Sequence, residues 1–243
     1  MLTIFGNRAS RWFRRRWAGL VENLYPVACL YCAAPLTGRF RICPACESQL
    51  PWLGRRQCPR CARPGTDPHA PCGRCQRRPP AFATVYAALQ YTEPVPDWVQ
   101  DLKYRQHLGL APTLGQLIAE GLVGEGDPGD LIVPVALHRQ RLARRGFNQA
   151  QLLGRELRRT TALPMDLNAL QRTRATRPQV TLTDDHRGTN VRGAFRAQPA
   201  RVRSRRILLV DDVITTGATV DAAAEALLAA GAKRVAVAAI ARA

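Results

Sequence analysis

Apolar residues are distributed differently in the two parts of this chain. From residue 81 onward they form short blocks separated by polar or glycine-bearing turns, and the blocks alternate between two periods. Thr84–Tyr91, Leu131–Pro134, Ile207–Val210 and Val235–Ile240 are near-continuous apolar runs, the pattern of strands covered on both faces. Between them, residues recur at helical spacing: Leu110, Leu114, Leu117 and Ile118; then Ala150, Leu153 and Leu157; then Val220, Ala223, Ala224, Leu227 and Leu228. Pro112 stands near the first turn of the first helix, and the turn Asp127-Pro-Gly-Asp130 precedes the second strand. Gly231 sits where the last helix needs a left-handed residue. Strands alternating with helices predict an α/β fold with a parallel, doubly wound sheet.

Ahead of residue 81 the pattern stops. Residues 26–80 hold every cysteine and many prolines and arginines, with few apolar residues beyond Leu50, Trp52 and Leu53. The stretch Arg77-Arg-Pro-Pro80 is the natural boundary, because consecutive prolines suit neither helix nor central strand. Residues 1–25 form a basic leader with Arg8, Arg11 and the run Arg14-Arg-Arg16. The expected organisation is therefore 1–25, 26–80 and 81–243. Within the leader, Trp12–Leu24 reads either as a basic amphipathic helix for a membrane or partner, or as a segment packing Trp12, Trp17 and Leu20 on its own domain.

The eight cysteines form four Cys-x-x-Cys pairs: Cys29/Cys32, Cys43/Cys46, Cys58/Cys61 and Cys72/Cys75. Such pairs read as metal ligands rather than a disulfide framework, and eight thiolates suit two structural Zn²⁺ ions in four-cysteine sites. An iron–sulfur cluster is the alternative, although its ligands are more often irregularly spaced. The pairing is open between successive ribbons and a cross-brace, with the short internal gaps favouring successive ribbons. A region this poor in apolar residues needs the metal for its stability. No apolar stretch approaches the length of a membrane span, and no secretory pattern opens the chain, so a reducing cytoplasm is the expected location.

Charge adds a partner class. Lys and Arg number 36 against 18 acidic residues, a formal +18, and only Lys103 and Lys233 are lysines. An arginine surface attracts diphosphates, nucleic acid or anionic lipid, and it equally fits a GC-rich coding sequence. Arg55, Arg56, Arg60, Arg63, Arg74, Arg77 and Arg78, near the cysteines, read as a nucleic-acid contact or a solvated basic face.

The segment from Arg206 to Thr219 carries the most chemistry. An apolar strand runs into Asp211-Asp212, a hydroxyl- and glycine-bearing loop follows, and an alanine-rich helix begins. Ligands of open α/β sheets bind at the carboxyl ends of strands, and a helix N-terminus favours phosphate. Thr215, Thr216 and Thr219 offer hydroxyls, Gly217, followed by Ala218, lets backbone approach an oxyanion closely, and the two carboxylates suit a sugar diol or a divalent cation. A phosphate site joined to a diol site suits a ribose 5-phosphate. A Walker B strand is the competitor, but no Gly-x-x-x-x-Gly-Lys-Ser/Thr loop exists to complete it. Adjacent aspartates also do not fit the Asp-x-Asp of haloacid-dehalogenase-type nucleophiles.

That spacing resembles the PRPP-binding signature of type I phosphoribosyltransferases. With the cysteine module ahead of it, the chain resembles the ComF family of phosphoribosyltransferase-like proteins, which is linked with DNA uptake in competent bacteria. The resemblance runs from about Tyr25 to the C-terminus. It includes Leu102-Lys-Tyr104, Val133-Pro-Val135 through Leu137-His138, Arg144-Arg-Gly-Phe-Asn-Gln-Ala150, and Arg187 through Asn190-Val-Arg-Gly-Ala-Phe195. Ala136 and Arg139 depart from it, standing where the family's Val-Pro-x-Pro-Leu-His-Pro pattern has prolines.

The resemblance implies a type I phosphoribosyltransferase-like parallel sheet with flanking helices, preceded by a double zinc ribbon. It implies that Asp211 and Asp212 hold the ribose hydroxyls of Mg²⁺–PRPP and that Thr215–Thr219 hold the 5-phosphate. His138, Arg141, Arg144 and Arg145 would face the diphosphate. Thr173–Phe195 would be a flap bringing Gln179, Arg187 and Asn190 to the reaction and excluding water, with Arg187, Asp211 and Asp212 as catalytic residues. The implied activity is transfer of ribose 5-phosphate to a nitrogen acceptor. A glutamine-dependent amidotransferase is disfavoured, since all eight cysteines lie in metal-type pairs. Two other classes compete: a PRPP sensor with little turnover, and a zinc-dependent factor binding single-stranded DNA or DNA-uptake proteins. Scarce aromatics in the cysteine module (Tyr31, Phe40 and Trp52) weaken the last.

Overall fold

A computed structural model describes residues 27–37, 40–123, 126–175, 191 and 193–243. The basic leader at 1–25 and the flap residues Gln179, Arg187 and Asn190 lie outside the described residues. Two compact units appear, Met1–Leu50 and Pro51–Ala243. Among the described residues, no helix is long and apolar enough to cross a membrane.

The first unit is built on a metal-binding knuckle. Strands β1 (Val27–Ala28) and β2 (Pro35–Leu36) pair antiparallel, and helix α1 (Pro44–Glu47) opens with a proline directly after Cys43. The second unit repeats that construction before its main domain, with helix α2 (Gly73–Arg77) following Cys72. In each copy the residue after the second cysteine adopts a left-handed conformation, Ala33 at φ 59° and Ala62 at φ 55°. Each donates its backbone N–H to the carbonyl of the first cysteine, Ala33 to Cys29 at 3.0 Å and Ala62 to Cys58 at 2.9 Å. The same turn is thus used twice.

The rest of the second unit is a parallel sheet. Its strands are β3 (Thr84–Gln90), β4 (Leu131–Pro134), β7 (Arg206–Val210), β8 (Val213–Ile214) and β9 (Arg234–Arg242), in the order β3-β9-β7-β4, with β8 beside the end of β9. The helices are α3 (Val95–Tyr104), α4 (Ala111–Glu120), α5 (Arg139–Arg145), α6 (Gln149–Thr161), α7 (Pro199–Val202) and α8 (Ala218–Ala229). A separate antiparallel pair joins β5 (Leu170–Arg172) to β6 (Phe195–Ala197).

Both faces of the parallel sheet are covered, which is why its strands read as continuous apolar runs. Alternation along the strands divides the core. Val85, Ala87, Leu131, Val133, Ile207, Leu209, Val235, Val237 and Ala239 belong to one cluster with Val220, Ala223 and Leu227 of α8, and with Phe195. On the other face, α4 and α6 pack against each other and the sheet, burying Leu114, Leu117, Ile118, Leu153 and Leu157 completely.

Elements that the apolar pattern did not announce have physical reasons for being silent. Helix α3 begins among Pro94 and Pro96, so the segment reads as a breaker. Helix α5 has no buried residue, so it leaves no apolar stripe. Strands β5 and β6 have three residues each, too short for a period.

Close approach of α4 and α6 depends on Gly115, where an added Cβ would overlap the Cβ of Glu156 and lie 3.4 Å from the Leu153 carbonyl. Alanine is the better helix former, but this contact has no flexible end that could move aside. Gly115→Ala is expected to destabilise the protein by about 1–2 kcal/mol, read as a lower denaturant midpoint at unchanged m-value.

Candidate functional site

The structure assigns the eight cysteines to two quartets, Cys29/Cys32/Cys43/Cys46 and Cys58/Cys61/Cys72/Cys75, with the four sulfurs of each within 4.8 Å of one another. Pairing is therefore between successive Cys-x-x-Cys units. The Sγ–Sγ distances Cys32–Cys43 and Cys61–Cys72 are both 3.7 Å, far beyond a disulfide. They match the edge of a tetrahedron with Zn–S bonds, about 3.8 Å for a bond of about 2.3 Å. Backbone N–H groups already address the sulfurs: Cys43 donates to Cys29 Sγ at 3.4 Å and Cys72 to Cys58 Sγ at 3.2 Å. Burial opposes a charge on Cys58, but N–H donors from Cys72, Cys61 and Arg60 outweigh it and bring the thiol down to about 6. Cys29 falls to about 6 for the same reason, with Cys32 and Cys43 as donors. Both quartets suit structural zinc, and neither has an open ligand position for chemistry.

A separate cleft of about 440 Å³ opens at the carboxyl ends of β4 and β7. Parallel register puts it there. Pairing of Pro134 with Val210 brings the ends of β4 and β7 level, beside Ala238 midway along β9, and the chain leaves β7 directly into Asp211-Asp212. The two carboxylates then diverge. Asp212 is buried and forms an ion pair with Lys103 Nζ at 2.5 Å, while its Oδ1 accepts from the Val213 N–H at 2.8 Å. Burial works against the Lys103 charge, yet Asp212 and then Asp211 raise its pKa. Asp211 is half-buried and lines the cleft. Burial first, and the neighbouring Asp212 charge second, push its carboxyl up to about 7.

The loop beyond has the geometry of an anion cradle. Gly217, at φ 80°, is the N-cap of α8, and no side chain caps that helix. The Ala218 N–H is donated to Thr216 Oγ1 at 3.3 Å. Thr215, Gly217, Ala218 and Thr219 line the cleft. Thr216 instead lines a smaller cavity of about 70 Å³ on the side of the second cysteine quartet.

Arginines line the same cleft. Arg141, Arg144 and Arg145 of α5 and Arg172 of β5 all line the cleft. Burial first and then the charge of Arg141 bring Arg172 down to about 10, while burial and then Arg145 lower Arg141. The Arg-Gly-Phe-Asn-Gln-Ala element explains how they are held. Gly146 ends α5 in the left-handed conformation at φ 82°. Buried Asn148 then caps α6, accepting from the Ala150 N–H at 3.0 Å and donating Nδ2 to the Val135 carbonyl at 3.0 Å, which fixes α6 to the end of β4. Gln149 Oε1 accepts from Arg145 Nη1 at 2.6 Å, and the Arg145 guanidinium stacks 5.2 Å from the centre of the exposed Tyr104 ring.

Of the residues singled out from sequence, the structure brings together Asp211, Asp212, Thr215, Gly217, Ala218, Thr219, Arg141, Arg144 and Arg145 around this cleft. His138 is not among the residues lining it; its Nδ1 accepts from the Gln140 N–H at 3.4 Å as the N-cap of α5. Arg172, Tyr91, Tyr104 and Gln149 are additional wall residues. Arg172 had no detectable signal, since it sits in a strand of three residues that reaches the cleft by tertiary packing. Tyr104 and Gln149 do lie inside the Leu-Lys-Tyr and Arg-Gly-Phe-Asn-Gln elements.

Comparison with known proteins agrees with this geometry. Residues 20–76 match the double zinc ribbon domain family, and residues 142–243 match the phosphoribosyl transferase domain family. The chain is 37% identical over 216 residues to the DNA utilization protein YhgH of Escherichia coli (strain K12), covering 86% of this chain and 94% of that one. It is 28% identical over 232 residues to Competence protein F of Haemophilus influenzae, covering 91% and 99%. To Competence protein ComFC of Bacillus subtilis (strain 168) it is 26% identical over 199 residues, covering 79% of each.

The site makes two predictions. Elemental analysis of protein purified without chelator should return two zinc ions per chain, one for each quartet; iron with visible charge-transfer absorption would contradict the zinc reading. The second concerns pH. Asp211 keeps its proton in the folded state up to about 7, whereas the unfolded chain loses it near the ordinary value of 3.8, so the folded state binds more protons in between. Its contribution therefore makes stability fall as pH rises from that lower value toward the upper one. Asp211→Asn should flatten this part of the profile and stabilise the ligand-free protein above neutral pH, as followed by urea denaturation across the range.

Proposed function

The chain belongs to the ComF family of competence and DNA-utilization proteins, and from that premise we propose that its cleft binds Mg²⁺–PRPP and transfers ribose 5-phosphate to a nitrogen acceptor. The observation carrying this reading is the charge layout of one cleft. A carboxylate pair, the N-terminus of α8 and the guanidinium groups of Arg141, Arg144, Arg145 and Arg172 all line it. A ribose bearing a phosphate at one end and a diphosphate at the other fits that sequence of groups.

Each group has a task. Backbone amides and hydroxyls of Thr215–Thr219 hold the 5-phosphate. Because Lys103 already neutralises Asp212, Asp211 is the carboxylate left to engage the ribose hydroxyls or the metal ion. Magnesium arriving with PRPP would supply further neutralisation of the diphosphate. As the bond from C1 to the diphosphate breaks, negative charge grows on the leaving oxygens, where the guanidinium groups stabilise it. The acceptor nitrogen attacks C1 from the opposite face, and orientation within the cleft supplies much of the rate. Arg187, Gln179 and Asn190 would complete the site from the flap segment. Eight thiols committed to metal suit the reducing cytoplasm.

A second, accessory role follows from the arginines around the second quartet. Arg55, Arg56, Arg63, Arg74, Arg77 and Arg78 are exposed, and relatives of this chain carry DNA utilization and competence in their names. We infer that this surface docks the enzyme on single-stranded DNA or on the uptake machinery, with salt-sensitive affinity.

The test is calorimetric titration of zinc-loaded protein with Mg²⁺–PRPP. Micromolar binding is expected, weakened about tenfold or more in Asp211→Ala, since a charge-assisted contact is lost. Asp211→Ala/Asp212→Ala should abolish PRPP binding and spare DNA binding. Binding without diphosphate release across a panel of nucleobases and ammonia would identify a sensor rather than a transferase. No binding by the folded, metal-replete protein would refute the phosphoribosyl reading.

A further inference from the structure

Arg242 ends β9 and is only 2% exposed, the largest charged group in the core. Its backbone is fixed from two sides, paired with Gln90 of β3 and with Ile214 of β8, and its carbonyl accepts from the Tyr91 N–H at 2.9 Å. The guanidinium then joins two functional segments. Nε donates to the Cys61 carbonyl at 2.8 Å, within the second cysteine quartet. Nη1 donates to the carbonyls of Ile214, at 3.0 Å, and Thr215, at the start of the anion-binding loop. A second tie runs parallel to it, where the Ala81 N–H, just beyond the quartet, donates to Asp221 Oδ1 in the first turn of α8 at 2.7 Å.

These contacts dictate which way the loop amides face. In a trans peptide the N–H points opposite to the C=O. Holding the carbonyls of Ile214 and Thr215 against Arg242 therefore turns the N–H groups of Thr215 and Thr216 away from it. Arg242 lies in the small cavity lined by Cys61 and Cys75, and Thr215 lies in the large cleft. The arrangement also requires an anion, because a buried guanidinium without one is costly. Cys61 supplies negative charge beside it: as a metal ligand it is a thiolate, and its carbonyl already accepts from Nε. Nη1 also donates to the Ala243 oxygen.

We propose that Arg242 is a positioning residue for the Thr215–Thr219 loop, and that through it the phosphate-binding shape of the loop depends on the metal in the second cysteine quartet. Loss of that ion, by chelation or by oxidation of its thiols with a disulfide-forming oxidant, frees the Cys61 turn. The clamp on the Ile214 and Thr215 carbonyls then relaxes, and the loop amides lose their common direction. The quartet is in this sense a part of the phosphate site, although it touches no substrate. The assignment of the loop to phosphate rests on the phosphoribosyl reading above.

Hydrogen exchange by mass spectrometry on the full chain tests the coupling without any ligand. Zinc is withdrawn in steps with a chelator, and pulse alkylation in the same digests reports the occupancy of Cys58, Cys61, Cys72 and Cys75. Exchange of a peptide spanning Ile214–Thr219 should rise in step with alkylation of this quartet while peptides from α6 stay protected. A loop that remains protected after the quartet is fully alkylated would overturn the proposal. Arg242→Met provides the second arm. It should keep both zinc ions by elemental analysis, accelerate loop exchange about tenfold or more, and weaken Mg²⁺–PRPP binding by a similar factor. Added guanidinium ion should restore both in this variant, and equal ionic strength of sodium chloride should not. Arg234→Met, at the far end of the same strand, serves as control and should change neither. Loop exchange and affinity within twofold of the parent in a zinc-loaded Arg242→Met would overturn the role of Arg242. A parent protein that binds no PRPP refutes the phosphoribosyl reading, and the exchange arms still decide the coupling.

Discussion

Parallel pairing of β4, β7 and β9 in matched register is the constraint on which the rest of this protein depends. Leu131 lies beside Ile207 and Ile207 beside Val235, so β4 and β7 end together against the middle of β9 and the segments that follow them converge. Asp211-Asp212, the Thr215–Thr219 loop, the Leu137 turn and the arginines of α5 share one cleft for this reason. A slip of one residue in β7 would exchange the faces occupied by Ile207 and Leu208 and turn the carboxylates elsewhere. The apolar covering of both sheet faces fixes the register, and the site inherits it.

Within the cleft, electrostatics separates two residues that look equivalent. Asp212 is consumed by Lys103, a contact from a helix that the chain places before β4. Asp211 keeps a raised pKa because burial and its neighbour both disfavour its charge. A cationic ligand or a sugar diol relieves that cost. Arg141 and Arg172 have the mirror problem, each held down by burial and by the other cations around them. A polyanion relieves theirs. Burial and like-charged neighbours thus act against the charge of both the acidic and the basic groups of this cleft.

The cysteine quartets show one local motif put to two uses. Their turns, left-handed alanines and following helices are the same, so their ligand geometry is the same. Their surroundings differ. The second quartet's Cys58, Cys61 and Cys75 belong to the hydrophobic core of the α/β unit together with Phe82 and Ile214. A closed metal site there is a rigid corner of that unit's own core, and its backbone carbonyls are available to hold neighbouring loops.

Much of this was legible in the sequence, because the features involved are local. Continuous apolar runs announced buried parallel strands, the Cys-x-x-Cys spacing announced metal knuckles, and Asp-Asp followed by a Thr-Thr-Gly-Ala-Thr loop announced a polar turn at a strand end. Each of those depends on residues within a few positions of one another. Long-range packing decided the rest. The short gaps between cysteines leaned toward successive pairing without deciding it. Nothing in the sequence gave Asp211 and Asp212 different partners, or marked Arg172 as a wall of the cleft. Nor could it show that Arg242 lies beside Cys61, since those contacts join residues far apart in the chain and arise only when the sheet closes the distance.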